Sequence, residues 1–215
     1  MKQFTILFAL IVLATSFTNA QSWKCKKQMR KALQTHFNSA STLTEWQAAA
    51  DAFRPITTKF DEEWMPLYYF TLAKINGSNQ TKDGTTIDAE LDEAQAALDK
   101  AFKLAPKESE LYVLQANIYY ARIAVNYFAR GMQMVTSAHS ELVHAKELNP
   151  DNPRVYFLLA MSAYNTPEQF GGSKERALDL FQKAKEKFDT FKPDSRYSPR
   201  WGRAENTKML AKFKK

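Results

Sequence analysis

The chain has 215 residues, 45% apolar and 25% charged, which is the balance of a folded domain and not of a disordered segment. With 6 glycines and 8 prolines it lacks the tight turns that a β-sandwich or barrel needs, so few, long elements are expected. The formal charge of +7 gathers at the two ends, in Lys24, Lys26, Lys27, Arg30 and Lys31 and in Lys208, Lys212, Lys214 and Lys215, where solvated helix faces account for it.

Lys2 precedes the apolar run Phe4 to Ala14, and a more polar stretch ends on Thr18-Asn19-Ala20. A charged start, a short apolar core and a small residue before a cleavage point predict a secretory signal peptide over 1–20. The run is too short to span a bilayer. Cleavage would remove one lysine and no acid, leaving +6 and a mature chain that starts near Gln21. The expected protein is exported, periplasmic or secreted, without stable membrane insertion once cleaved and without a nucleic-acid partner. Cys25 is the only cysteine, so it has no internal disulfide partner. It reads as a buried thiol, with an intermolecular link as the alternative.

Apolar spacing then follows the helical period almost throughout, as in Ala177, Phe181, Ala184, Phe188 and Phe191. The predicted helices are 23–37, 43–57, 62–76, 87–104, 108–128, 134–148, 153–164, 173–191 and 199–213, an all-α chain of about nine helices. The clearest polar loop runs from Gly77 to Thr86, followed by the Gly171-Gly172 region and the stretch Pro193 to Pro199. Two helices end in similar words, Leu104-Ala105-Pro106 and Leu148-Asn149-Pro150, because proline lacks the N–H that would continue the helix.

Those two helices also match internally. Ala94, Leu98, Ala101 and Pro106 recur as Ala138, Leu142, Ala145 and Pro150, and the helices that follow carry Tyr112-Ala116-Tyr119 and Tyr156-Ala160-Ala163. This pattern resembles the tetratricopeptide repeat, in which small residues let paired helices approach and a larger one fills the gap. Trp64, Leu67 and Tyr68 resemble an earlier first helix, and Ala177, Phe181 and Ala184 a later second helix. The resemblance covers roughly 43–192 and implies antiparallel helix pairs stacked as a short right-handed α-α superhelix. An N-terminal helix region would occupy 21–42 and a C-terminal capping helix 193–215. The two prolines lie 44 residues apart where the family's period is about 34, so about ten residues are inserted within 112–138, with a helix break expected at Arg130-Gly131. The loop at Gly77 and the segment Pro167 to Gly172 are further insertions. The words Asn149 to Tyr156, Pro167 to Gly172 and Pro199-Arg200-Trp201-Gly202 are similar to exported tetratricopeptide-like proteins of Bacteroidota-type bacteria, which implies an envelope setting and supplies no catalytic residue.

Catalytic and cofactor motifs are missing. No glycine-rich phosphate loop, Gly-x-Ser-x-Gly elbow or His-Glu-x-x-His occurs, so neither an enzyme nor a resident cofactor is expected. His139 and His144 lie five apart, on different sides of a helix, and His36 is remote in sequence, so no metal site is expected. Asp61, Glu62 and Glu63 suit a helix start. Asn76 and Asn79 stand in N-glycan acceptor words that a bacterial setting makes plain loop residues. In Pro167 to Gly172 the glycines permit tight backbone, Phe170 is expected to plug a gap between helices, with a functional binding loop as the alternative, and Ser173 is expected to cap the next helix. Trp201 is expected to dock the terminal helix onto the last repeat.

The resemblance also implies an inner face formed by the first helix of each pair. Mapped onto this chain it comprises Glu62, Met65, Tyr69 and Leu72, then Glu110, Val113, Asn117 and Tyr120, then Arg154, Phe157, Met161 and Tyr164. The tentative binding residues are therefore Met65, Tyr69, Val113, Asn117, Tyr120, Arg154, Phe157, Met161 and Tyr164. Val113 stands where a C-terminal-carboxylate clamp would need a basic residue, so that clamp is not expected. The main expectation is an adaptor or scaffold that binds a peptide of another envelope or secreted protein on this face. The alternative is a carrier in which the inserted loops close the superhelix around a small apolar ligand. The same residues could also be plain core.

Overall fold

The computed structural model describes residues 23–213, so the segment read as a signal peptide lies outside the described residues. Residues 23–32 form helix α1, which widens into a π-helical turn at Leu33–Phe37. Then follow α2 (Leu43–Lys59), α3 (Trp64–Ser78), α4 (Gly84–Leu104), α5 (Ser109–Arg122), α6 (Tyr127–Leu148), α7 (Pro153–Asn165), α8 (Lys174–Thr190) and α9 (Arg203–Lys212). Nine helices and no strand are present among the described residues, which is the all-α class expected.

Short polar residues start most of these helices. Thr42 and Glu45 form a capping box at α2, and the side chains of Asp83, Asn126, Asn152 and Ser173 accept backbone N–H groups at α4, α6, α7 and α8. Consecutive helices pack as antiparallel pairs, α3 with α4, α5 with α6 and α7 with α8, while α3 meets α5 and α5 meets α7 across the pairs. The result is two layers, with α3, α5 and α7 side by side in one and their partners in the other. α3 is apolar on nearly every face and buried from Pro66 to Ile75 because α2, α4 and α5 all pack against it.

The internal match read from the sequence extends to hydrogen bonds. The Tyr112 hydroxyl donates to the Pro106 carbonyl at 2.8 Å, and the Tyr156 hydroxyl donates to the Pro150 carbonyl at 2.8 Å. Both tyrosines therefore staple a new helix to the turn that precedes it. Glu108 and Asn152 likewise each accept the N–H two residues on, from Glu110 and Arg154. Ala94, Leu98 and Ala101 in one unit, Ala138, Leu142 and Ala145 in the next, and Ala177, Phe181 and Ala184 in the last are all fully buried. Small residues at these positions allow the close approach between helices that the spacing predicts.

Three boundaries differ from expectation. The break placed at Arg130-Gly131 occurs at Ile123–Val125, a single 3-10 turn, and α6 starts at Tyr127 under the Asn126 cap. Arg130 is inside that helix and holds Asp88 of α4 with two hydrogen bonds of 2.7 and 2.9 Å. The polar loop after Gly77 shrinks to 79–83 because α3 continues to Ser78. The last helix starts at Arg203 and not at 199, leaving residues 191–202 as an extended strap. Cys25 is a buried, free thiol.

Candidate functional site

The strap decides which part of the inner face is open. After α8 the chain runs back across the N-terminal ends of α7, α5 and α3 and then turns into α9. The Tyr69 hydroxyl donates to the Tyr197 carbonyl at 2.7 Å, and the Arg154 guanidinium donates to the Pro199 carbonyl. Beneath the strap lies a polar chain in which Trp201 Nε1 donates to the Tyr68 hydroxyl at 2.8 Å, Tyr68 to Glu110 Oε2 at 3.1 Å, and Arg154 Nη1 to Glu110 Oε1 at 2.9 Å. Removing such charges from water is tolerated because each is paired and hydrogen-bonded. Burial, with the Glu110 carboxylate beside it, pushes the Tyr68 phenol well above its usual range. The C-terminal halves of the inner helices are not covered, and there the protein opens into a cavity of about 1380 Å³. That exceeds the usual range of roughly 300–1,000 Å³ for a site holding a drug-sized molecule.

The candidate inner-face residues separate along this line. Tyr69, Asn117, Tyr120, Phe157 and Met161 are on the cavity wall. Val113 is in the second core, Arg154 is 0% exposed in the ion pair under the strap, and Tyr164 packs on Phe181 and Phe213. Met65 is half-buried against the first core, away from the wall. These four therefore lie off the cavity wall. The cause is the strap for Arg154, a helix face turned into the core for Met65 and Val113, and the α9 end for Tyr164. The Tyr120 hydroxyl makes no well-formed hydrogen bond among the described residues. Burial pushes its phenol up, and the neighbouring Ser162 hydroxyl offsets part of that.

All three insertions over the repeat pattern line the cavity. Asn79 and Gln80 come from the loop after α3, Gln169 and Phe170 from the Pro167 segment, and Ile123, Tyr127, Phe128, Met132 and Val135 from the longest insertion. This last one prolongs α6 beyond the end of α5. Arg130 and Arg122 hold Asp88 there, and Arg122 also holds Asp92. With Arg130 turned toward α4, the stripe of Phe128, Met132 and Val135 at helical spacing faces the cavity. Phe128 is 97% exposed and Met132 75%. Across the cavity, Phe170 is 58% exposed on the wall and does not plug a gap between helices as expected. The glycines beside it are steric necessities. Gly171 has φ +88°, and a Cβ on Gly172 would lie 1.7 Å from the Thr166 carbonyl oxygen. Ser173 caps α8 as expected.

The aromatic wall continues with Phe37, Trp46 and Tyr127, and the strap contributes Arg196, Ser198, Arg200 and Trp201. Trp201 does more than dock the last helix, since it touches Phe157 of the last repeat while bonding Tyr68 of the first. The histidines are not on the wall, and no cluster of three or more potential metal ligands occurs among the described residues. Sequence reasoning located the inner helices and the insertions but missed the α6 stripe, whose signal was the unbroken spacing from Phe128 to Val135.

No protein-family model matches the sequence, and no curated protein matches it. Among solved structures, the HusA haemophore from Porphyromonas gingivalis is similar, with a TM-score of 0.76 and 30% sequence identity over 86% of this chain and 90% of that one. The similar protein is all-helical and of a Bacteroidota organism, in line with the coarser part of the resemblance read from the sequence. At that identity, and over nearly the whole length of both chains, the protein belongs to the same family as the HusA haemophore.

Proposed function

We propose that this protein is a non-catalytic carrier of haem or a closely related tetrapyrrole, held in the cavity between the inner helices, the strap and the start of α6. The observation that carries the reading is the stripe of Phe128, Met132 and Val135, an apolar helix face that no other described residue covers, turned into a large aromatic-walled cavity. A folded protein gains nothing from holding a phenylalanine in water. Covering Phe128 and Met132 with a ligand would contribute about 1.5–3 kcal/mol each, which together corresponds to roughly millimolar to tens-of-micromolar affinity before any other contact. Face and edge contacts with Trp46, Tyr120 and Phe170 would add about 0.5–1.5 kcal/mol apiece for a flat aromatic ligand. Tyr120, Met132 and Met161 are of the side-chain types that ligate haem iron. Family membership with a haemophore supports the same ligand class.

This reading favours the carrier over the peptide-binding adaptor. The strap occupies the N-terminal half of the face that a peptide would need, and the insertions wall the other half into a cavity instead of a through-going groove. We also propose that the protein is exported, that residues 1–20 are its cleaved leader, and that the helix pairs are of tetratricopeptide type. The leader rests on the sequence pattern, and no helix among the described residues is long and apolar enough to cross a membrane. The repeat type rests on the matching tyrosine staples at Tyr112 and Tyr156.

The test is a titration of ferric haem into the purified chain lacking residues 1–20, followed by absorbance in the Soret region. A saturable shift that protein-free haem does not show is expected. A spectrum that stays at the protein-free form across the titration overturns the carrier reading.

A further inference from the structure

We propose that Arg196 and Arg200 form a carboxylate clamp at the mouth of the cavity, so that the ligand is an apolar molecule with carboxylates along one edge, inserted with that edge outward. This rests on the carrier reading and adds orientation and selectivity to it. Among the described residues, Arg196 and Arg200 are the only cationic ones on the cavity wall, and Glu205 is the only acidic one. The Glu205 carboxylate is already engaged, accepting the Gly202 N–H at 3.2 Å. Neither arginine has an ion-pair partner among the described residues. In contrast, Arg54, Arg122, Arg130, Arg154 and Arg203 all hold carboxylates. The two free guanidiniums thus stand beside a surface that is otherwise apolar or neutral.

Their backbone is placed by the strap's anchors. Arg196 precedes Tyr197, whose carbonyl accepts from Tyr69, and Arg200 follows Pro199, whose carbonyl accepts from Arg154. Ser195 and Ser198 close a turn around Arg196, with the Ser198 N–H donating to the Ser195 carbonyl at 3.2 Å and the Ser195 N–H donating to the Ser198 hydroxyl at 3.0 Å. Arg196 on this turn and Arg200 two residues beyond it are both carried by anchored backbone, while both side chains remain exposed. That placement suits a ligand whose charged groups stay in water while its body is buried. A guanidinium fork binds a carboxylate through two parallel hydrogen bonds, which a lysine or an amide does not reproduce. A dicarboxylate porphyrin has this division, with an apolar disc and two carboxylates on one edge.

The probes are ferric haem and its dimethyl ester, titrated into the wild-type chain and R196Q/R200Q by Soret absorbance, with circular dichroism and a thermal melt to show that the variant folds. An exposed ion pair is worth up to about 1 kcal/mol, so the wild type should prefer the diacid by about fivefold to thirtyfold for the two contacts. The double variant should lose that preference by weakening on the diacid alone, with its affinity for the ester unchanged. R196K/R200K, which retains charge without the fork, should fall between. Equal wild-type affinity for diacid and ester, or a preference that survives in R196Q/R200Q, overturns the clamp while leaving the carrier reading in place. Failure of the wild type to bind either probe overturns the carrier reading and the clamp with it.

Discussion

The Trp201 indole N–H and the Tyr68 hydroxyl, 133 residues apart, meet at 2.8 Å beneath the strap. This one bond ties the segment before the last helix to the first repeat. Tyr68 passes the connection to Glu110, and Glu110 to Arg154, so each of the three inner helices contributes a member. The chain fixes where the inner face ends and the cavity begins.

Tyr68→Phe removes the middle member without changing the shape. Glu110 would lose its tyrosine donor and the Trp201 N–H its acceptor, in a region where water has little access. A loss of about 1–3 kcal/mol is expected in urea unfolding. Trp201 fluorescence should also shift to longer wavelength in the native state if the strap loosens, and an unchanged spectrum and midpoint would show that the bond is incidental.

Phe128 and Met132 should separate binding from stability. Both are exposed in the unliganded protein, so F128S/M132S should change the unfolding free energy by less than about 0.5 kcal/mol. Haem affinity should drop by at least roughly tenfold, because the ligand loses two large apolar contacts. A variant that binds haem like the wild type would show that the stripe faces something else.

Asp88 links pH to the start of α6. Hydrogen bonds from Arg130, with the charges of Arg130 and Arg122, hold its carboxyl below the usual aspartate range. A depressed folded-state pKa means that the pair contributes fully above the ordinary value near 4 and is lost as pH falls through the folded value. The groups are partly exposed, so the contribution is about 1 kcal/mol or less. Protection of amides 127–131, taken relative to the intrinsic exchange rate at each pH, should fall below about pH 4, and Asp88→Asn should show that lower protection already at neutral pH. Equal exchange in the variant at neutral pH would mean that other contacts hold the α6 start.

Gly172→Ala should deform the loop that carries Phe170. The added Cβ would fall 1.7 Å from the Thr166 carbonyl oxygen, so the backbone must move. A cost above about 1 kcal/mol is expected, together with weaker haem binding, and calorimetry with a Soret titration reads both.

Cys25 should be inert until the chain unfolds. It is 1% exposed, and burial, with Glu63 nearby, pushes its thiol up to about 12. The thiolate is the reactive form, so a disulfide reagent at neutral pH should label it only in denaturant. Rapid labelling of the native protein would restore the intermolecular link as a reading.

Several features were legible in the residues alone. Proline at 106 and 150, alanine at spacings of three and four, and tyrosine six residues after each proline specify paired helices, because these are local demands on backbone and on close approach. The insertions were visible as an excess over the repeat period, and the cap at Ser173 as a short polar residue before apolar periodicity. What each insertion does depends on tertiary structure. Arg154 sits at an inner-face position by register, yet the strap from residues 191–202 buries it against Glu110. Phe128 and Phe53 are alike as residues, but one is 97% exposed on the cavity and the other 0% exposed in the core. Side-chain chemistry and period determine that a helix has an apolar face; only the packing of distant segments decides whether that face meets protein or an open cavity.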